Sequence, residues 1–281
     1  MNILIIGAEG NVGKSLCRYF SSGHTVTAPS KKDLDITKSS QCISNILYIN
    51  PDIVIHAAAM SDIDLCEKDK ASSYNVNALG SLNVAKACSL LDVPILYLSC
   101  SSVYGENKHE MCSENDKCLP VNVYGKTKLA GESLIRTVCR KYFILRTSWI
   151  FGGGNCFVRN VVSKKDVPIF MCSPEVSCLT NVDDLCFTID KVIQSDSYGI
   201  YNVSNSGYTK KAELVRTIFN YFHIEKDIVE LSEEFMSKIT PRSKYSILDT
   251  SLLQKSFHIN LPQWQDSLYN YLKTINLSDR L

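Results

Sequence analysis

The stretch Asn2-Ile-Leu-Ile-Ile-Gly7-Ala-Glu-Gly10-Asn-Val-Gly13-Lys-Ser-Leu-Cys-Arg-Tyr-Phe20 decides the fold. Residues 2–6 form a short apolar run without polar alternation, as a strand covered on both faces requires. Residues 12–20 carry Val12, Leu16 and Phe20 at helical spacing. Between them lie Gly7, Gly10 and Gly13. Glycines at such a strand-to-helix turn allow a tight bend and close approach of a pyrophosphate, which the N–H groups and dipole of the helix N-terminus then hold. Gly7, Gly10, Asn11, Val12 and Gly13 are therefore candidate cofactor residues.

Outward from this turn, strand and helix signals alternate. Short apolar runs at 24–28, 52–56, 94–98 and 142–146 read as strands, and 70–91 and 122–141 read as helices. The alternation implies βαβ crossovers and a Rossmann-type, doubly wound parallel α/β sheet. The second half is less regular. Strands are expected at 168–171 and 199–203, and helices at 182–193, 210–222 and 263–272. We expect residues 1–150, joined by 181–205, to form the dinucleotide-binding domain. Residues 151–281 should form mainly a smaller substrate-binding lobe.

Composition bounds the function. The 281 residues carry 30 basic and 29 acidic side chains, a net charge of +1, which argues against a nucleic-acid binder. No apolar run reaches the roughly 18 residues of a membrane span. The apolar start lacks a basic leader, so a cytoplasmic location is expected. The 12 cysteines show no CxxC spacing and read as free thiols. The five histidines form no HxxxH or HExxH pattern, so no metal site is expected.

Two further segments carry chemistry. The second strand should end at the residue that senses the adenosine ribose, where an acid would hold a 2′-hydroxyl. The chain reads Ala28-Pro-Ser30-Lys31-Lys32-Asp33-Leu-Asp35 there, and Ser30 and Lys31 suit a 2′-phosphate. Tyr124-Gly-Lys-Thr-Lys128 lies on an expected helix, with Tyr124 and Lys128 on one face. An ammonium near a phenol lowers its pKa and lets it exchange a proton with a carbinol oxygen.

With these motifs the chain resembles the extended short-chain dehydrogenase/reductase superfamily. It is similar, through nearly its whole length, to the dTDP-4-dehydrorhamnose reductase family. The resemblance runs through Asn50-Pro-Asp-Ile-Val-Ile-His-Ala-Ala-Ala59, Asn75-Val-Asn77-Ala78, Tyr124 to Glu132, and Leu145-Arg-Thr-Ser-Trp149-Ile-Phe-Gly152. It continues through Asn155-Cys-Phe-Val158, Gly199-Ile-Tyr-Asn202, Pro241 to Asp249 and Leu261-Pro-Gln-Trp264.

The resemblance implies an NADPH-dependent reductase of a nucleotide-linked 4-keto-6-deoxy sugar in surface-polysaccharide synthesis, with NADH open as a cofactor. It implies that Ala57, Ala58, Ala59 and Asn77 line the cofactor cleft and that Asp35 sits near adenine. Tyr124 becomes the acid, and Lys128 its partner and a nicotinamide-ribose ligand. Ser61, Ser102, Trp149 and Thr180 face the sugar. A homodimer is compatible with it. Alternatives are another nucleotide-sugar reductase or epimerase, or a non-catalytic NADP-binding subunit resembling the methionine adenosyltransferase regulatory subunit.

The departures fall in the sugar pocket. The family's Ser-Thr-Asp-Tyr reads Ser99-Cys100-Ser101-Ser102 here, which puts Cys100 at the catalytic hydroxyl, with Ser101 or Ser99 expected to compensate. The family's Gly-x-Pro-Thr reads Ser177-Cys-Leu-Thr180. Some related reductases hold magnesium through a glutamate on the first helix. Ser15 stands at that place, so no such ion is expected.

Overall fold

The computed structural model describes residues 1–105, 111–163, 169–236 and 240–275. His109, Pro168 and residues 276–281 lie outside these. Six parallel strands form the central sheet: β1 (Asn2–Ile6), β2 (Thr25–Thr27), β3 (Ile53–His56), β4 (Ile95–Cys100), β5 (Tyr142–Thr147) and β6 (Gly199–Val203). Their order is β6-β5-β4-β3-β1-β2. The chain leaves β1 toward one edge and returns past it to β3. The crevice between the C-terminal ends of β1 and β3 is thus the switch point at which doubly wound sheets bind ligands.

The strands inside the sheet feed two cores. Ile3, Ile5, Ile53, Ile55, Leu96, Leu98, Phe143 and Leu145 point to the face covered by α1 (Asn11–Phe20) and by the helix Val182–Val192. Leu4, Ile6, Val54, Ile95, Tyr97 and Ile144 point to the opposite face. That face is covered by α2 (Ser39–Ile49), α3 (Ser81–Leu91) and α4 (Val123–Val138). Burial on both faces explains why the runs are apolar throughout.

The helix expected over 70–91 is continuous but not uniform. Lys70–Tyr74 is α-helical, Asn75–Gly80 is a π turn, and α3 follows. Such turns are rare and recur at functional sites. The sequence reading missed α2 and the short helices Ile63–Lys68, Phe157–Ser163 and Ser251–Phe257. All but α2 are too short for a strong periodic signal.

A third core gathers Phe151, Val158, Val161, Leu179, Val215, Phe219, Trp264 and Leu268. Trp264 is buried there, as a core residue. Two clasps tie this lobe to the sheet. Asn11 donates to the Gly152 carbonyl at 2.9 Å and accepts from the N–H groups of Gly154 and Asn155 at 2.9 and 3.1 Å. Arg242 donates to both carboxylate oxygens of Asp64 at 3.1 Å. All twelve cysteines are free thiols. Among the described residues, no helix is long and apolar enough to cross a membrane.

Candidate active site

The glycine turn opens the switch-point crevice. Gly7 has φ +89°, and a Cβ there would lie 2.5 Å from the Ala58 nitrogen. A Cβ on Gly13 would come within 2.0 Å of the Gly7 carbonyl oxygen. Both glycines therefore let α1 and the loop after β3 close on the turn. Gly10 faces outward and caps α1 with no side-chain bond, so the helix N–H groups stay free for an anion. The turn fits a dinucleotide pyrophosphate on these grounds.

Several expected cofactor residues have other partners. Both amide atoms of Asn11 are committed to the Gly152–Asn155 segment. Val12 packs its side chain on the sheet core. Asp35 is tied to Thr37 through the backbone N–H at 3.0 Å and the hydroxyl at 2.7 Å, which holds its carboxyl below the usual range. The Ser30 hydroxyl donates to Asp33 at 2.6 Å.

Asn77 is fully buried in the π turn. It accepts from the Met60 N–H at 2.8 Å and donates to the Met60 carbonyl at 2.9 Å and the Thr127 hydroxyl at 3.0 Å. Thr127 in turn donates to the Tyr124 carbonyl at 2.8 Å. Asn77 thus couples the Ala57–Met60 loop to the first turns of α4. It holds the cleft wall in place and leaves no amide atom for a cofactor.

The catalytic constellation forms where α4 meets the end of β4. A Cβ on Gly125 would lie 2.4 Å from the Ser102 carbonyl oxygen, so only glycine lets α4 approach this closely. That approach packs Tyr124 against the cluster that holds Cys100, Val103 and Tyr104. Burial and the neighbouring Cys100 push the Tyr124 phenol well above its ordinary pKa. Burial raises the Cys100 thiol as well, while Lys128, Tyr124 and the Ser102 N–H oppose that rise.

Lys128 is 2% exposed. Its ammonium donates to the Leu98 carbonyl at 2.7 Å and lies 3.8 Å from the centre of the Tyr97 ring. Burial lowers its pKa to about 8. The sequence reading had the lysine lowering the pKa of Tyr124. Burial and the neighbouring Cys100 act against that lowering, and both raise the phenol.

Ser99 is turned away from this site. Its hydroxyl donates to Glu132, which forms a buried ion pair with Arg146 at 2.6 Å. Alternation along β4 places neighbouring side chains on opposite faces, so Ser99 cannot compensate for Cys100. Ser101 opens the turn after β4 and is buried, and Ser102 is half-buried beside it.

Of the expected sugar residues, Ser61 is exposed on the loop after Ala59. Trp149 is half-buried, with the Lys211 ammonium 4.9 Å above its ring. Thr180 departs from expectation. It is fully buried, and its hydroxyl accepts from the Ser148 N–H at 3.3 Å and donates to the Val203 carbonyl at 3.2 Å. It braces the strands beneath Trp149 and does not face the cleft.

Some site residues escaped the sequence reading. Glu132 follows Tyr124 and Lys128 at the same four-residue step, so its place on that helix face was readable. Its partner Arg146 lies on another strand and gave no local sign. His56 is fully buried and held neutral, its pKa lowered by burial to about 3.

A glycine-turn Rossmann sheet carrying a Tyr-x-x-x-Lys pair, half-buried Tyr124 and buried Lys128, at the end of β4 defines an extended short-chain dehydrogenase/reductase. Residues 1–277 match the family model described as RmlD substrate binding domain, and the chain belongs to that family. It is 30% identical over 275 residues to the spore coat polysaccharide biosynthesis protein SpsK of Bacillus subtilis (strain 168), covering 96% of each. It is 30% identical over 286 residues to the dTDP-4-dehydrorhamnose reductase of Aggregatibacter actinomycetemcomitans, covering 95% of this chain and 97% of that one. The crystal structure of a dTDP-4-dehydrorhamnose reductase from Bacillus anthracis, solved in complex with NADP, superposes with a TM-score of 0.94. It is 32% identical, covering 98% of this chain and 99% of that one.

Proposed function

We propose that the protein reduces the 4-keto group of a nucleotide-linked 6-deoxy sugar, with NADPH as the preferred cofactor and NADH accepted, for a surface polysaccharide. The observation that carries this reading is the packing of Tyr124 with the Cys100 cluster and of Lys128 on Leu98 of β4, together with a glycine turn fit for a dinucleotide. Membership of the family, together with relatives that are named reductases, supports it. Residues 1–150 with 181–205 serve as the cofactor-binding unit, and 151–281 mainly shape the sugar side.

The bound cofactor supplies a hydride. The chain supplies the proton and the positioning. Tyr124, kept as a phenol by burial, holds the proton at Oη. The substrate oxygen accepts that proton as it becomes an alcohol. An alkoxide is a far stronger base than a phenolate, so even a phenol with a raised pKa gives up its proton to a nascent alcohol. Lys128, anchored on Leu98 and one helical turn from Tyr124, supplies the positive charge that offsets the phenolate left behind. Cys100 stands where a hydroxyl would polarise the ketone, and a thiol donates only weakly.

The test is a panel of dTDP-, UDP-, GDP- and CDP-4-keto-6-deoxyhexoses followed by NADPH absorbance. NADPH consumption with at least one member is expected. The weak donor at Cys100 favours a second reading, a non-catalytic NADP-binding subunit. Cofactor binding without turnover across the panel would favour it.

A further inference from the structure

The end of β2 holds acids as well as the expected bases. The Lys31 N–H donates to Glu9 Oε2 at 3.1 Å, and the Ser30 hydroxyl donates to Asp33 Oδ2 at 2.6 Å. Two donors that suit a 2′-phosphate therefore already face carboxylates. Glu9 differs from the other acids here. It stands in the glycine turn itself, between Gly7 and Gly10, and reaches across to the end of β2 from the cofactor cradle. Asp33 bonds within its own loop, and Asp35 is committed to Thr37. The Lys31 and Lys32 side chains are exposed.

A carboxylate at this place accepts a hydrogen bond from a ribose 2′-hydroxyl and repels a 2′-phosphate. We infer that Glu9 is a specificity-determining residue that narrows the preference between NADPH and NADH. It offers an acceptor to the 2′-hydroxyl of NADH and must leave the Lys31 N–H before a 2′-phosphate can take that donor. Lys31 and Lys32 act in the opposite direction through their charge. The pair of signs at one corner makes the site tolerant of both cofactors. This inference rests on the cofactor reading above.

Dissociation constants for NADPH and NADH, from fluorescence titration of the full chain without sugar, test it directly. Glu9→Gln keeps shape and removes charge, and Glu9→Ala is a second variant that removes the acceptor altogether. Both should shift the NADH-to-NADPH ratio of dissociation constants toward NADPH by about tenfold, the size of one removed like-charge contact near the surface. Lys31→Ala should shift it the other way. Wild-type protein that binds both cofactors, with a ratio unchanged within about twofold in both Glu9 variants, would overturn this inference and leave the reductase reading standing. Wild-type protein that binds neither cofactor would overturn both.

Discussion

Tyr124 packs against the cluster that contains Cys100, at the point where α4 meets the end of β4. The contact joins the proton donor to the residue that replaces a catalytic hydroxyl. It also sets their electrostatics, because burial and the neighbouring sulfur both disfavour the phenolate.

Replacement of Tyr124 tests the proton donor. Tyr124→Phe should lower kcat by about two to four orders of magnitude. NADPH affinity, read by fluorescence titration, should be nearly unchanged. Normal turnover by the variant would remove Tyr124 from the mechanism.

Cys100→Thr restores a hydroxyl at similar volume beside Tyr124. We expect kcat to rise with saturating NADPH, because a hydroxyl donates more strongly than a thiol. Ser101→Ala should change kcat little, since it is Cys100 that meets the phenol. A severe loss in Ser101→Ala with no gain in Cys100→Thr would assign the donor to Ser101.

Lys128 is costly to bury. Its folded pKa of about 8 lies below the ordinary lysine value of 10.5, so the unfolded chain binds more protons between these limits. The penalty is full below pH 8 and disappears as pH rises through 10.5. Lys128→Met should therefore abolish reduction while raising stability, with a larger gain in urea melts at pH 7 than at pH 10. An equal change at both pH values would contradict the buried ammonium.

The Glu132–Arg146 pair, 1% and 3% exposed, underlies the site. Glu132→Gln should cost about 3–5 kcal/mol in urea unfolding, because it leaves Arg146 buried without a counter-charge. The double variant Glu132→Leu, Arg146→Met should recover most of that loss. A loss below about 1 kcal/mol would place the pair in solvent-like surroundings.

The legible parts of the molecule were those written in local spacing. The glycine turn, the apolar strands and the Tyr124–Lys128 step each depend on residues a few positions apart. The illegible parts were contacts across the chain. Nothing near Asn11 shows that its amide holds Gly152–Asn155, and nothing near Asn77 shows that it holds Met60 and Thr127. Thr180 matched a motif, yet its hydroxyl turns inward because the strand that carries it lies under Trp149. Ser99 and Cys100 are adjacent in sequence but face opposite sides of β4, and only the sheet decides which one meets Tyr124.

Product analysis tests the central claim most directly. The protein is incubated with NADPH and a dTDP-4-keto-6-deoxyhexose, and the nucleotide sugar is examined by NMR alongside NADPH absorbance. The account predicts one NADPH consumed per ketone lost and a new C4 carbinol in the product. An epimerised ketone with NADPH intact, or unchanged sugar beside bound NADPH, would contradict it.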